Sequence, residues 1–242
     1  MPTKIEKAIM NDGGKLSKAI EILMHDIVYA SIYNKLINEL IECHKENTEV
    51  FNQSNTFWYL VFESIKESRM IRLCRICDTE IKSISIGNLL QAIKGCKCVF
   101  SKEEFRNRLK NNPFVESLSK YNREVNIEEL DDEIKSFNDN QTVMKIRKWR
   151  NNYIAHKGIT EGLKDFRILS ENELTFEDIS SFINYSHKLI NKYLNNLSAI
   201  AWSDKIVGDD DFKNLIKFAS IGLEKYKMDI ELEIKKYTEK EE

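Results

Sequence analysis

Proline and glycine are scarce: the 242 residues include 2 of the first and 8 of the second. Sheets, hairpins and long loops need that punctuation. Its absence, with abundant Leu, Ile, Lys, Glu and Asn, predicts an all-α protein. Long apolar runs are missing too. The best, Phe57 to Phe62 (FWYLVF), falls far short of the roughly 20 residues that a membrane span requires. The opening MPTKIEKAIMNDGG carries charges but not the continuous apolar core of a signal peptide, so a cytoplasmic protein without membrane contact is expected. Neither sign of charge is in excess. With 37 Lys and Arg against 39 Asp and Glu, the formal charge is −2, which excludes a bulk polycation that coats nucleic acid indiscriminately. Five cysteines, an odd number in a reducing compartment, argue against a disulfide framework and predict thiols.

What is present is helical periodicity. From Leu16, the residues Ile20, Leu23, Ile27, Ala30, Leu36, Ile37, Leu40 and Ile41 recur at steps of three and four, describing one long amphipathic helix that ends near Glu46. A second runs from about Asn55, with Trp58, Val61, Ile65, Leu73 and Ile76 on its buried stripe, and stops near Asp78 or Thr79. These two are expected to pair antiparallel. Ile86 to Leu118 reads as shorter helices, with Ser101 and Glu104 spaced as a capping box and Pro113 breaking the run. A helix resumes at Ile127, or after the Asn138–Gln141 interruption at Thr142, and continues to Gly158. Thr175 and Asp178 open another, carrying Ile179, Phe182, Ile183, Leu189, Ile190 and Leu194 to near Trp202, and a last helix spans Asp211 to about Tyr237.

The chemistry concentrates in Lys145 to Lys157, KIRKWRNNYIAHK. No Asp or Glu occurs from Asn140 to Thr160, while Lys145, Arg147, Lys148, Arg150 and Lys157 crowd the stretch. A confined cationic patch of this kind points to phosphate, and Asn152 and Tyr153 fall inside it as further RNA-binding candidates. Arg150 and His156 stand six positions apart, about 120° on a straight helix. Asn152 lies four residues before His156 and could orient the imidazole. One helix cannot aim both side chains at one phosphate, so a site assembled from two copies across a two-fold axis is the expectation, a homodimer. The matching chemistry is RNA scission without a metal or other cofactor: the ribose 2′-hydroxyl attacks phosphorus, a guanidinium stabilises the charged oxygens and an imidazole moves a proton. DNA lacks that hydroxyl and should resist.

RNNYIAH, Arg150 to His156, resembles the arginine, polar residue, spacer, histidine signature of HEPN domains, small all-helical proteins that include many ribonucleases. FWYLVFESIKESRMIRLCRICD, Phe57 to Asp78, is similar to the second helix of the abortive-infection, AbiU-type HEPN group, ending in Arg75 and Asp78. The resemblance covers about Leu16 to Leu194. It implies an antiparallel HEPN-like bundle, read here over 1–200 with a short-helix insertion around 80–125; the C-terminal helix over 201–242, packing on or extending from the bundle, is not accounted for by the resemblance. The resemblance also implies an antiviral or toxin-like ribonuclease, with an antitoxin or defence-system protein as a partner. By that resemblance Arg150 contacts the phosphate, Asn151 tunes the site and His156 serves as acid or base. Family members regulated by a nucleotidyltransferase antitoxin often carry a tyrosine three residues after the histidine, where this chain has Ile159.

The competing readings are an inactive HEPN module that binds RNA, a nucleotide or a protein through the same patch, and a plain helical interaction protein. Cys74, Cys77, Cys96 and Cys98 could form a four-thiolate zinc site or simply be buried thiols. His25, His44 and His187 read as surface or boundary residues. Arg69, Arg72 and Arg75 either continue the basic surface toward Arg150 or pair with Glu63, Glu67 and Asp78. Phe57, Trp58, Tyr59 and Phe62 read as core.

Overall fold

The computed structural model describes residues 12–121, 123–151, 172–203, 208 and 210–239. Among them are ten α-helices and one 3-10 helix, with no strand. In chain order these are α1 (Gly13–Glu46), α2 (Thr48–Asn52), α3 (Asn55–Ile76), α4 (Ile86–Gly95), the 3-10 turn Lys97–Phe100, α5 (Lys102–Arg108), α6 (Val115–Leu118), α7 (Ile127–Asp139), α8 (Gln141–Trp149), α9 (Phe176–Ser198) and α10 (Phe212–Thr238). No described helix is long and apolar enough to cross a membrane. The chain divides into two compact units, residues 1–34 with 67–204 and residues 35–66 with 205–242. Helices α1 and α3 contribute to both.

In the larger unit the predicted stripes become the core. Leu16, Ile20, Leu23 and Ile27 of α1, Leu73 and Ile76 of α3, and Ile179, Phe182, Ile190 and Leu194 of α9 are all buried. They meet Leu89, Leu90 and Ile93 of α4, Leu130 and Phe137 of α7, and Val143 and Ile146 of α8 in one cluster. Apolar residues every three or four positions leave one wet face and one dry face, and only mutual burial of the dry faces removes that surface from water. Helices α1 and α3 run antiparallel here: Asp26 pairs with Arg72, and Asn34 accepts from Arg69 at 2.8 Å, so one chain retreats as the other advances.

The boundaries follow capping chemistry. Asn140 separates α7 from α8 because its side chain accepts from the backbone N–H groups of Thr142 and Val143, starting a new helix where a continuous one would have run. Thr175 and Asp178 form a reciprocal capping box at the start of α9, and Ser101 accepts from Glu104 N–H at the start of α5. The end of α9 is closed by two arginines. Arg108 donates to the Leu197 carbonyl at 3.1 and 3.3 Å, supplying a partner at the helix end, and Arg123 donates to that of Asn195, which also accepts from the Ala199 N–H at 2.9 Å. Ala199 then turns the chain through the left-handed region at φ 56°.

The smaller unit has a short core of Cys43, Phe51 and Ile216, against which Trp58, Phe62 and Phe212 are partly buried. This corrects the reading of the aromatic cluster as core. Trp58 and Phe62 pack, but Phe57 and Tyr59 are 57% and 64% exposed, since four aromatics within six residues of a helix cannot all share one face.

Phe182 sits at the centre of the larger core, its ring 6.5 Å from that of Phe137. Its replacement in Phe182→Ala is expected to cost about 3–5 kcal/mol, read from urea unfolding, whereas Phe176→Ala on the exposed side of the same helix should cost under about 1 kcal/mol.

Candidate functional site

The end of α3 and the end of α8 are joined by two guanidinium contacts. Arg147 donates through Nε to the carbonyl of Cys77 at 3.0 Å and through an Nη to Asn138 at 3.1 Å, with its guanidinium over the Phe137 ring. Arg150 meets the carboxylate of Asp78 at 3.0 Å, with side chains 30% and 15% exposed. The two arginines lie three residues apart, which places them on one face of the helix. At Arg150 and Asn151 the backbone widens into a π turn, a local distortion common at functional positions. Arg150 also donates to the side-chain oxygen of Asn151 at 3.1 Å.

Asp78 is held in its turn. The same Oδ1 that faces Arg150 accepts from the backbone N–H of Glu80 at 3.0 Å, and the Asp78 N–H donates to the Arg75 carbonyl at 3.3 Å. Arg150 is thereby fixed from two sides. A guanidinium carries five N–H donors; among the described residues, Asp78 and Asn151 engage two of those of Arg150.

Other members of the predicted patch are drawn into the fold. Lys145 donates to the Glu173 carbonyl at 2.8 Å and lies 3.3 Å from Asp178, bracing the capping box of α9. Hydrogen bonding within that box, first of all to the Thr175 backbone, holds the Asp178 carboxyl below the usual carboxylate range. Lys148 donates to the Asn172 side chain at 3.0 Å, and Trp149 Nε1 donates to the Asn172 carbonyl at 2.9 Å. Asn152, Tyr153, His156 and Lys157 lie outside the described residues. Lys148 and Trp149 thus bind Asn172, the first described residue after Asn151, to the last turn of α8.

The alternative partners proposed for the α3 arginines are not the ones formed. Arg69 reaches Asn34, and Arg72 and Arg75 share Asp26. Both partners stand on α1, far away in sequence, whereas Asp78 serves Arg150. Of the cysteines, Cys43, Cys74, Cys77 and Cys96 are buried and Cys98 is exposed. No group of three or more His, Cys, Asp or Glu among the described residues is placed to hold a metal ion. Burial pushes the Cys74 thiol up to about 12 and that of Cys77 well above its ordinary value, with Arg150 and Arg147 respectively opposing the shift. His25 stacks on Tyr29, His44 packs edge-on to Phe51, and His187 meets Asn191.

The family model for HEPN proteins of the AbiU2 type matches residues 15–218. No curated protein and no solved structure matches.

Two outcomes follow from this geometry. Asp78→Asn keeps the shape and the acceptor for Glu80 but removes the charge opposite Arg150, which should cost about 1–2 kcal/mol in urea unfolding; a double-mutant cycle with Arg150→Gln should show coupling of about 0.5 kcal/mol or more. At pH 8 a disulfide-exchange reagent should titrate the exposed Cys98 rapidly and the four buried thiols only after unfolding, because burial keeps the reagent from them.

Proposed function

The chain belongs to the AbiU2 HEPN family, and from that membership and the Arg150 geometry we propose that it is a metal-independent endoribonuclease of abortive infection. The observation that carries this reading is an arginine held by Asp78 and Asn151 at the end of α8, six positions before His156 in the sequence. In the reaction, the ribose 2′-oxygen gives up its proton as the bond from that oxygen to phosphorus forms. The bond from phosphorus to the 5′-oxygen breaks, and the leaving oxygen takes up a proton. A 2′,3′-cyclic phosphate and a 5′-hydroxyl result, and no water is consumed. Arg150 stabilises the negative charge gathering on the phosphate oxygens, His156 moves a proton near neutral pH, and Asn151 orients the guanidinium. Asp78 is a positioning residue.

The active form is a homodimer in which two copies of the helix combine to surround one phosphate, working in the cytoplasm as an antiviral or toxin component under a partner such as an antitoxin. Of the cations assigned to RNA, Lys148 is the most exposed among the described ones and is best placed to exchange its internal bond for a phosphate. Lys157, Asn152 and Tyr153 complete the assignment from sequence. A second reading draws support from the internal bonds of Lys145, Arg147 and Lys148: a HEPN module without catalysis, in which these cations serve the fold and Arg150 binds RNA, a nucleotide or a protein.

Incubation with total RNA in excess EDTA separates the two. Wild type should cleave RNA and leave single-stranded DNA intact, and Arg150→Ala and His156→Ala should each lower the rate about 100-fold or more with unchanged helicity. Binding to RNA without cleavage by wild type would select the module instead.

A further inference from the structure

In the larger unit, α1, the second half of α3 and the chain following α9 border an open cavity of about 310 Å³, lined by the cations Lys18, Arg72 and Arg75, the carboxylates Glu21 and Asp26, and Ile22, His25 and Trp202. Its charges are unevenly satisfied. Asp26 is nearly buried and pairs closely with Arg72, while Arg75 reaches the same carboxylate oxygen only at 3.7 Å and is 57% exposed. One carboxylate therefore faces two guanidiniums, and the surplus positive charge falls on the solvent-facing Arg75. Lys18 is paired with Glu21 at 3.6 Å, both side chains well exposed; such surface pairs are weak, so the ammonium can turn to a stronger anion.

The walls are aromatic and built. The Trp202 N–H donates to the Asn191 side-chain oxygen at 2.8 Å, and the amide of Asn191 donates back to the Trp202 carbonyl at 2.8 Å, so the backbone that carries the indole is clamped on both sides. Part of the indole packs on the core and part borders the cavity. His25 lies 4.6 Å from the Tyr29 ring, and the Arg72 guanidinium sits 5.1 Å from the centroid of the same ring. A fixed indole, an exposed imidazole and two displaceable cations around a cavity at the small end of the usual ligand range match one nucleotide, with base on ring and phosphate on cation.

We propose that this cavity is a subsite for one nucleotide of a single-stranded RNA, its phosphate held by Arg75 and Lys18 and its base against Trp202. The inference rests on the ribonuclease reading for its substrate, and the geometry supplies the link: Arg75 is one turn before Asp78, the carboxylate that fixes Arg150, so a strand seated here continues toward the proposed scissile phosphate. Asp26, which also borders the cavity, is paired with Arg72 and Arg75. The subsite would set which base is accepted a short distance from the cut.

The test uses the full chain and a labelled 2′-O-methyl RNA decamer, which cannot be cleaved by 2′-oxygen attack, with binding followed by anisotropy over a salt series. The combined Lys18→Glu and Arg75→Glu variant should bind at least about 10-fold more weakly, with the slope of log affinity against log salt reduced by about 1.4, two phosphate contacts at about 0.7 each. Trp202→Ala should weaken binding about 5- to 100-fold while Trp202→Phe, which keeps a stacking face, retains most of it. Unchanged affinity in the charge variant with an unaltered melting curve overturns the proposal, as does failure of wild type to bind the decamer. Free 5′-AMP binding as tightly as the decamer overturns the assignment to a strand. A charge variant that cleaves ordinary RNA with wild-type KM removes the subsite and leaves the ribonuclease standing; binding that depends on Arg75 without any cleavage does the reverse.

Discussion

The candidate site depends on how the last turn of α3 receives the last turn of α8. A helix end leaves carbonyls without partners, and the one at Cys77 is satisfied by Arg147, while the carboxylate one residue later takes Arg150. Cys74 and Cys77 are packed beneath these contacts. Separating the two helix ends would strand a buried carbonyl and leave a half-buried carboxylate facing no cation, and both are costly in a medium where water is scarce. The same joint that closes the fold thus holds the guanidinium to which the proposed chemistry is assigned. Position and function share one interaction.

That sharing explains why a count of positive residues overstates what is offered to an RNA. Lys145, Arg147 and Lys148 form part of a strongly basic run, yet each has an internal acceptor: a loop carbonyl and Asp178, a helix-end carbonyl, and the side chain of Asn172. They organise the ends of α3, α8 and α9 around Arg150. The surplus charge lies instead on α3, where Asp26 faces both Arg72 and Arg75 and leaves the second guanidinium directed at solvent. Charge near a site and charge available to a ligand are different quantities, and only the partner list separates them.

Much of the fold was legible in the sequence because its signals are local. The three- and four-residue recurrence of Ile20, Leu23 and Ile27 on α1 and of Ile179, Phe182 and Ile183 on α9 marks the buried faces. Thr175 with Asp178 marks a helix start by hydrogen bonds that close within four residues. The break at Asn140 is of the same kind. Arg150 and Asn151 were singled out by their order in the chain, and Asp78 by its place at the end of α3. What was not legible was the bond between Arg150 and Asp78, which spans 72 positions, and the joining of residues 35–66 with the C-terminal helix in one unit. Phe57 and Tyr59 were misread for a related reason: composition says that aromatics are apolar, but which face of a helix finds a neighbour depends on what else packs there.

The sequence by itself determined the all-helical class, most helix boundaries and the family, since periodicity, capping and motif order are properties of neighbouring residues along one chain. Tertiary structure decided which cations are spent within the fold, which carboxylate fixes Arg150, and where an aromatic and cationic cavity opens, because electrostatic pairing and enclosure depend on distance in space. Two residues remote in sequence can meet only after hydrophobic burial has set the helices side by side.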